Sequence, residues 1–474
     1  MNTFLCRSCG SSHGRSVLDL GLQPLANNLL SEADLAKPEP RFPLRVSLCE
    51  GCWLLQITDI VPPVELFSEY LYFSSFSDAM LRHAAAAAAA HLRDGDLGPE
   101  SFVVEIASND GYLLKNFVAA GVPCLGIEPA ANIAKVAVAA GVPTLSRFFG
   151  RELAAELAAQ GRQADLILGN NVFAHVPDIN GFVAGLAALL KPGGRIALEF
   201  PYGCDLVEHV EFDTVYHEHV FYFTVTALVP LFARHGLEIF DVERLKIHGG
   251  SLRLFARHAE QRPAPDVQRP ASMEASSCLD PDMAADRSVV GQTVLSAGPG
   301  GFPAARTDTG LESPVDRQAG KPALRPDPGP SSRVAALLSE EKAKGVASTR
   351  YYDDFGHRVR GIRDDLLELL RRLKAEGRSI AAYGASAKGS TLLNFYGIGR
   401  ETLDFVADRS TAKQGRLTPG SHLPIVGPDE LLQRRPDFAL LLTWNFAAEI
   451  LKQQQAYRDA GGKFIVPLPE VRVV

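Results

Sequence analysis

Phe102-Val-Val-Glu-Ile-Ala-Ser-Asn-Asp-Gly-Tyr112 decides the fold. Its opening Phe-Val-Val-Glu-Ile is dominated by apolar, mostly β-branched residues, the composition of a buried strand in a parallel sheet. Ala107-Ser-Asn-Asp-Gly111 then supplies a tip of small and polar residues, and helical text begins at about Leu113. Such a tip lets a ligand approach the backbone at the carboxyl edge of the sheet, where open α/β folds bind their ligands. The tip lacks the Gly-x-Gly-x-x-Gly order, so a smaller nucleoside fits it better than a dinucleotide pyrophosphate.

Working outward, Cys124-Leu-Gly-Ile127, Asp165-Leu-Ile-Leu168 and Arg195-Ile-Ala-Leu-Glu-Phe200 read as further strands, each separated by a helix-length segment. That rhythm predicts a doubly wound parallel sheet, with an alanine-rich helix over residues 80–92 ahead of it. A second alternation follows at Ser379-Ile-Ala-Ala-Tyr383, Leu403-Asp-Phe-Val-Ala407, Phe438-Ala-Leu-Leu-Leu-Thr443 and Phe464-Ile-Val-Pro467. Between the two, residues 260–332 are rich in Pro, Ser, Gly and Asp without sustained periodicity, the composition of a disordered insertion or linker.

Polar residues gather at the strand ends. Glu105, Asn109, Asp110 and Gly111 belong to the first strand and its tip. Glu128, in Gly126-Ile-Glu-Pro129, is placed to accept both hydroxyls of a ribose. Asn170 and Asn171 end the third strand, Phe173-Ala-His175 follows, and Lys191-Pro-Gly-Gly194 turns into the fourth. In order and spacing these motifs resemble the class I S-adenosylmethionine-dependent methyltransferase fold.

Two cysteine pairs, Cys6-Arg-Ser-Cys9 and Cys49-Glu-Gly-Cys52, have the spacing of half-sites of one tetrahedral metal site. Two Cys-x-x-Cys turns supply the four thiolates that a structural Zn²⁺ prefers, with the intervening chain as one metal-clasped loop. Two disulfides, a redox pair or unrelated buried thiols are the alternatives. A closed four-sulfur shell leaves no open position for catalysis.

The chemistry is expected farther on. Glu211-Phe-Asp-Thr-Val-Tyr-His-Glu-His-Val-Phe-Tyr-Phe223 packs two histidines, two tyrosines and three carboxylates into thirteen residues. If residues 216–220 are extended, His217 and His219 share a face and Glu218 points away. Either imidazole can serve as a base near neutral pH. An exposed polar loop is the plainer alternative. In the second alternating unit, Tyr383-Gly-Ala-Ser-Ala-Lys-Gly-Ser390 lies between a strand and a helix, so backbone N–H groups and Lys388 can hold a pyrophosphate. The order is not that of a Walker A loop.

The cysteine pairs, Val103-Val-Glu-Ile-Ala-Ser-Asn-Asp-Gly111, Tyr216-His-Glu-His-Val-Phe-Tyr-Phe223, Ile247-His-Gly-Gly-Ser-Leu-Arg253 and Tyr383-Gly-Ala-Ser-Ala-Lys-Gly389 occur in that order. Together the chain resembles the zinc-containing sugar C-methyltransferases, which build branched deoxysugars from nucleotide-linked ketosugars. The resemblance covers nearly all of the chain outside residues 260–332, where that family is expected to have a short connection. It implies an α/β chain with an N-terminal zinc-binding module (1–65) and a class I methyltransferase, Rossmann-like domain (66–259). A low-complexity insertion (260–332) and a second Rossmann-like domain for the nucleotide sugar (333–474) complete the expected organisation.

By the same resemblance His219 is the catalytic base, with Tyr216 and Glu218 beside it and Tyr70 (or its neighbour Tyr72) and His175 as further active-site residues. The implied cofactors are S-adenosylmethionine as methyl donor, on Glu105, Asn109, Asp110, Gly111, Glu128, Asn170 and Asn171, and structural Zn²⁺ on Cys6, Cys9, Cys49 and Cys52. Tyr383, Ser386, Lys388 and Ser390 would bind the nucleotide sugar, and Asp408, Lys413, Gln414, Pro419, Gly420 and His422 lie on a polar loop that can join them. The expected reaction is methylation at C3 of a 4-keto-6-deoxy sugar. Another ketone or a hydroxyl acceptor, or a non-catalytic zinc and S-adenosylmethionine binder, are the competing readings.

The 474 residues suffice for several domains at about 150 residues each. A formal charge of −7 argues against a nucleic-acid binder. No long apolar run or leader-like segment stands out, so a cytoplasmic monomer with neither nucleic-acid nor membrane partners is expected.

Overall fold

The computed structural model describes residues 4–67, 73–247, 249–260 and 331–474. Tyr70, Tyr72 and nearly all of the expected disordered insertion lie outside the described residues.

The Val103–Ile106 strand sits inside a seven-stranded sheet. All of its residues are buried, as its apolar text requires. Cys124–Ile127 and then Thr144–Leu145 continue the sheet on one side, and Ala164–Asn170 and then Leu190–Pro201 on the other, all parallel. The sheet therefore switches direction of growth beside Val103–Ile106, the place where a doubly wound fold opens a crevice at its carboxyl edge.

Two strands that the parallel rhythm does not announce close the far edge. Leu237–Leu245 and Ser251–His258 form an antiparallel hairpin, the second strand pairing antiparallel with Leu190–Pro201. The glycine pair at its turn is a steric necessity: Gly249 and Gly250 have φ of 98° and 148°, and a Cβ on Gly250 would collide with the Asp205 carboxylate.

The second alternating unit forms a six-stranded sheet in the order Ile425–Val426, Val406–Ala407, Ile380–Tyr383, Phe438–Leu441, Lys463–Val466 and Arg472–Val473, parallel except for the last pair. The helix Ala387–Tyr396 starts at the tip of Ile380–Tyr383, with the Ser386 hydroxyl capping it by accepting from the Gly389 amide.

The chain between the cysteine pairs is ordered sheet and not a loop. Gly14–Pro24 and Arg41–Cys49 pair antiparallel, and Leu55–Ile57 adds to them. The last member is remote in sequence: Phe221–Tyr222 pairs with Leu55–Ile57, so the end of the Tyr-His-Glu-His segment is a strand of the N-terminal sheet. Phe221 and Phe223 are held from the other side by an aromatic core in which Phe173 stacks on Phe223 at 4.5 Å between ring centroids. Burying each such ring stabilises by roughly 1.5–3 kcal/mol.

The chain leaves and rejoins along the edge strand Leu237–Leu245. The Ala259 amide donates to the Gly236 carbonyl at one end, and the Ser331 amide to the Phe240 carbonyl at the other. The helix Ser332–Lys344 then plants the fully buried Glu341 against the N-terminus of the helix Val225–Ala233. Its carboxylate accepts from the Val225 and Thr226 amides and from the Tyr202 hydroxyl at 2.7–2.8 Å, pairing negative charge with the positive end of the helix dipole.

Candidate active site

The four N-terminal thiols converge. Cys6 and Cys52 Sγ are 3.6 Å apart, as are Cys9 and Cys49 Sγ, and all four lie within 4.8 Å of one another. Zinc–sulfur bonds of ~2.3 Å in a tetrahedron give sulfur–sulfur edges of about 3.8 Å, whereas a disulfide needs ~2.05 Å. The donor set thus fits a zinc ion and excludes paired disulfides.

The knuckle is anchored on both sides. Asn180 Nδ2 donates to the Arg7 and Ser8 carbonyls at 2.8 and 2.9 Å, and Arg234 Nη2 to the Ser8 carbonyl at 2.9 Å. Gln56, 2% exposed, accepts from the Arg7 amide and donates to the Leu5 carbonyl, while its backbone registers with Phe221.

A cavity of about 350 Å³ opens at the carboxyl edge of the central sheet. Asn109, Tyr112, Glu128, Asn170 and Asn171 form one part of its wall, with Ala130, Phe148 and Phe149 beside them. The Glu128 carboxylate is fixed by the Asn109 and Ala130 amides, both at 2.9 Å, and burial raises its pKa. The strand tips turn through left-handed backbone without glycine: φ is 54° at Ala107, 50° at Asn109 and 54° at Asn171. Such residues cost of order 1–3 kcal/mol each and collect where a backbone is shaped for a ligand. The segment at Ser74–Phe76 straps onto this tip, its Ser74 and Ser75 amides donating to Asn109 Oδ1 and Asp110 Oδ2.

Other expected donor-site residues stand back from the wall. Glu105, Asp110 and Gly111 are buried and are not among the cavity-lining residues. Gly111, at φ 78°, is needed because a Cβ there would meet Val142 at 2.9 Å. Glu105 is 1% exposed, and neither carboxylate oxygen has a hydrogen-bond partner among the described residues.

Burial, followed by the nearby Glu128, Asp110 and Glu199, holds the Glu105 pKa well above 4.5. A raised folded-state pKa means that the associated stability is fully present below about 4.5 and is lost as pH rises through the folded value, by up to about 1.4 kcal/mol per unit. In the donor-free protein Glu105→Gln should therefore raise Tm at pH 8, with the gain vanishing near pH 4. Thermal unfolding across that pH range checks it, and equal Tm values at pH 8 would contradict it.

The opposite wall carries His175, Tyr216, His219 and Thr214. Residues 216–219 are a turn and not an extended segment: the His219 amide donates to the Tyr216 carbonyl at 2.9 Å. The turn overrides strand alternation, so His217 and His219 part company. His217 packs away from the cavity against the Pro43 carbonyl and the Phe42 ring. Tyr216 and His219 instead lie ring against ring, their centroids 4.0 Å apart and their planes tilted by 33°. Glu218 is buried and does not line the cavity; it accepts from Asn27 Nδ2 at 2.6 Å, and Asn27 does line it.

His219 Nδ1 lies 2.8 Å from the Thr214 carbonyl, which can only accept, so Nδ1 carries the proton. The neutral ring then presents the basic Nε2, 2.8 Å from the Tyr216 hydroxyl. His175 meets His219 edge-on at 4.8 Å, and desolvation lowers its pKa to about 4, so it adds no positive charge beside that nitrogen at neutral pH.

The C-terminal sheet completes the cavity with Ser386, Lys388, Lys413, Thr443, Asn445 and Phe446. Lys388 lies 3.8 Å from Glu211 and 4.9 Å from the centroid of the Trp444 ring. Tyr383 and Ser390 are buried and do not line the cavity. Lys413 Nζ donates to the Ala385 carbonyl, beneath the first turn of the helix. Asp408 and Gln414 brace the same loop, while Gly420 and His422 bond to Glu39 of the N-terminal module. Asn27, Phe148, Phe149, Thr214, Asn445 and Phe446 had no signal in the sequence; Asn27 reaches Glu218 across 191 positions.

A doubly wound sheet ending in an antiparallel hairpin, with a cavity and a fixed acidic residue at its switch point, is the architecture of the class I S-adenosylmethionine-dependent methyltransferases. Family models match along the chain: a zinc binding domain at residues 6–67, a methyltransferase domain at 80–242 and a C-methyltransferase C-terminal domain at 321–469. The chain is 35% identical over 474 residues to C-methyltransferase NovU of Streptomyces niveus, covering 99% of this chain and 96% of that one. It belongs to that C-methyltransferase family and is an S-adenosylmethionine-dependent C-methyltransferase with an N-terminal zinc-binding module.

Two further matches cover part of the chain. The ubiquinone biosynthesis O-methyltransferase of Methylobacterium sp. (strain 4-46) is 31% identical over 127 residues, 25% of this chain and 50% of that one. Among solved structures, magnesium protoporphyrin IX methyltransferase of Synechocystis PCC 6803 with bound S-adenosylmethionine is 15% identical. That match covers 37% of this chain and 78% of that one, with a TM-score of 0.29.

Proposed function

We propose that the enzyme methylates C3 of a nucleotide-linked 4-keto-6-deoxy sugar, with His219 as general base. The observation that carries the reading is one cavity bordered by the Tyr216–His219 pair, by the donor-side residues Asn109, Glu128, Asn170 and Asn171, and by the Ser386–Lys388 helix start.

A carbon next to a ketone can lose a proton because the electron pair moves onto the carbonyl oxygen. As the Tyr216 hydroxyl turns from Nε2 to the acceptor oxygen, His219 Nε2 takes the C3 proton, the C–H pair becomes the C3–C4 double bond of an enolate, and the imidazolium keeps its Nδ1–H on the Thr214 carbonyl. Tyr216, His175 and Tyr70 supply hydroxyl or imidazole donors to the enolate oxygen, the kind of interaction that is often the largest catalytic term. Glu218 acts at one remove by fixing Asn27. After transfer, His219 returns its proton to solvent.

S-Adenosylmethionine supplies an electrophilic methyl group when bound. Glu128 would hold its ribose, Asn109, Asn170 and Asn171 would shape its pocket, and Glu105, Asp110 and Gly111 would support them from behind. On the acceptor side the helix N-terminus at Ser386 and the Lys388 ammonium would hold the diphosphate, with Tyr383 and Ser390 as packing beneath. In this reading residues 1–65 are the zinc module, 66–259 the methyl-transfer part and 333–474 the nucleotide-sugar part. No helix among the described residues is long and apolar enough to cross a membrane. Four reduced metal-binding thiols agree with the cytoplasm as its place.

The reading is tested with ¹³C-methyl-labelled S-adenosylmethionine and a panel of nucleotide-linked 4-ketosugars, the product being read by NMR. The label is expected on C3. Label on oxygen, on another carbon, or on none of the sugars would overturn it.

A further inference from the structure

The segment that carries His219 is gripped by the C-terminal sheet through contacts that never touch the imidazole. Trp444 Nε1 donates to Asp213 Oδ2 at 2.7 Å. The same indole ring lies under the Lys388 ammonium, which also faces Glu211. Thr391, one turn along the helix that begins at Ser386, donates its hydroxyl to the Val215 carbonyl at 3.1 Å.

Asp213 is fully buried, and its second oxygen has no hydrogen-bond partner among the described residues. A buried carboxylate with one strong donor is costly unless that donor is well placed, and leaving it without one is costlier. Burial raises its pKa to about 6 against the opposing pull of Lys388 and the Trp444 N–H. The residue after Asp213 is Thr214, whose carbonyl decides which nitrogen of His219 carries the proton. If that carbonyl turned away, the Nε2–H tautomer would become available, and that tautomer cannot take a proton at Nε2.

We propose that Asp213 and Trp444 are positioning residues that hold the Thr214 carbonyl, and with it the His219 tautomer, from the part of the chain that carries Lys388. The base would then be poised by the acceptor-binding side of the cavity. This rests on the reading of His219 as the base.

Trp444→Phe keeps an aromatic ring near Lys388 and removes the N–H together with part of the indole, so the Asp213→Asn and Asp213→Ala pair serves as the control that leaves Trp444 intact. Because a displacement of about 1 Å can cost ~100-fold, kcat should fall by ~10- to 100-fold, with KM for donor and acceptor within about twofold of wild type. Exchange of the acceptor C3 proton with solvent should fall in step with kcat. Asp213→Ala should lose a similar factor, the double variant no more than Asp213→Ala, and Asp213→Asn, which keeps an acceptor for the indole, should recover at least about tenfold over Asp213→Ala.

A Trp444→Phe enzyme with wild-type kcat, a loss confined to KM, or losses that multiply in the double variant would overturn the proposal. If Trp444→Phe does not fold, the Asp213→Asn and Asp213→Ala comparison decides, equal losses counting against it. Wild-type enzyme that exchanges no ketosugar C3 proton would refute the base reading itself, whereas normal exchange in both wild type and Trp444→Phe would refute only the coupling.

Discussion

Cys49→Ser is expected to leave a protein without zinc, with cooperative unfolding lost or Tm sharply lowered, before any question of chemistry arises. Structural zinc sites of four thiolates contribute ~10–16 kcal/mol of apparent binding free energy, as large as the ~5–15 kcal/mol net stability of a whole domain. Here the loss would spread. The Cys6–Cys9 knuckle is bound to Gln56, Asn180 and Arg234. Gln56 lies in the strand that pairs with Phe221–Tyr222, immediately beyond the His219 turn. Removing the metal therefore loosens the N-terminal sheet and the segment carrying His219 together. Metal content by emission spectroscopy, solubility and circular-dichroism melting measure the effect. A soluble, zinc-free, fully active variant would contradict it.

His219→Ala should lower kcat by about 10²–10⁴-fold, the usual range for deleting a general acid–base group. Donor affinity should stay within about twofold, because the donor-side residues are carried by other strand ends and only the proton acceptor is removed. The Tyr216 hydroxyl loses its partner at Nε2 but remains next to the cavity. Its presence does not replace the base, since an unassisted phenol with pKa near 10 takes up a proton from carbon only after losing its own. Titration calorimetry with S-adenosylhomocysteine and steady-state kinetics separate the two effects. A matching loss of donor binding would mark His219 as a packing residue.

The sequence carried the α/β alternation well because buried parallel strands are continuous apolar runs, and Val103–Ile106, Cys124–Ile127 and Phe438–Leu441 all fall where those runs lie. The cysteine pairs were equally legible, since two short turns with fixed spacing leave few chemistries open. The N-terminal sheet was not. Gly14–Pro24 is half-exposed and bulged, Leu55–Ile57 is only three residues long, and Phe221–Tyr222 comes from more than 150 residues away, so no local pattern encodes the pairing.

The active-site segment shows the same limit at finer scale. Its composition announced acid–base chemistry, but strand alternation put His217 beside His219, whereas a tight turn sets Tyr216 against His219 and sends His217 to Pro43. Which strand-end residues reach the cavity was likewise beyond sequence. Glu105 and Glu128 both sit on or just beyond adjacent strands, yet one is sealed under the wall and the other lines it.

The most direct measurement is exchange of the acceptor C3 proton in D₂O, followed by ¹H NMR with S-adenosylhomocysteine in place of the methyl donor. The wild-type enzyme should wash out the C3 signal of a nucleotide-linked 4-keto-6-deoxy sugar without forming product, and His219→Ala should leave that signal intact while still binding S-adenosylhomocysteine. Exchange that persists in His219→Ala, or that never occurs in the wild type, would contradict the account.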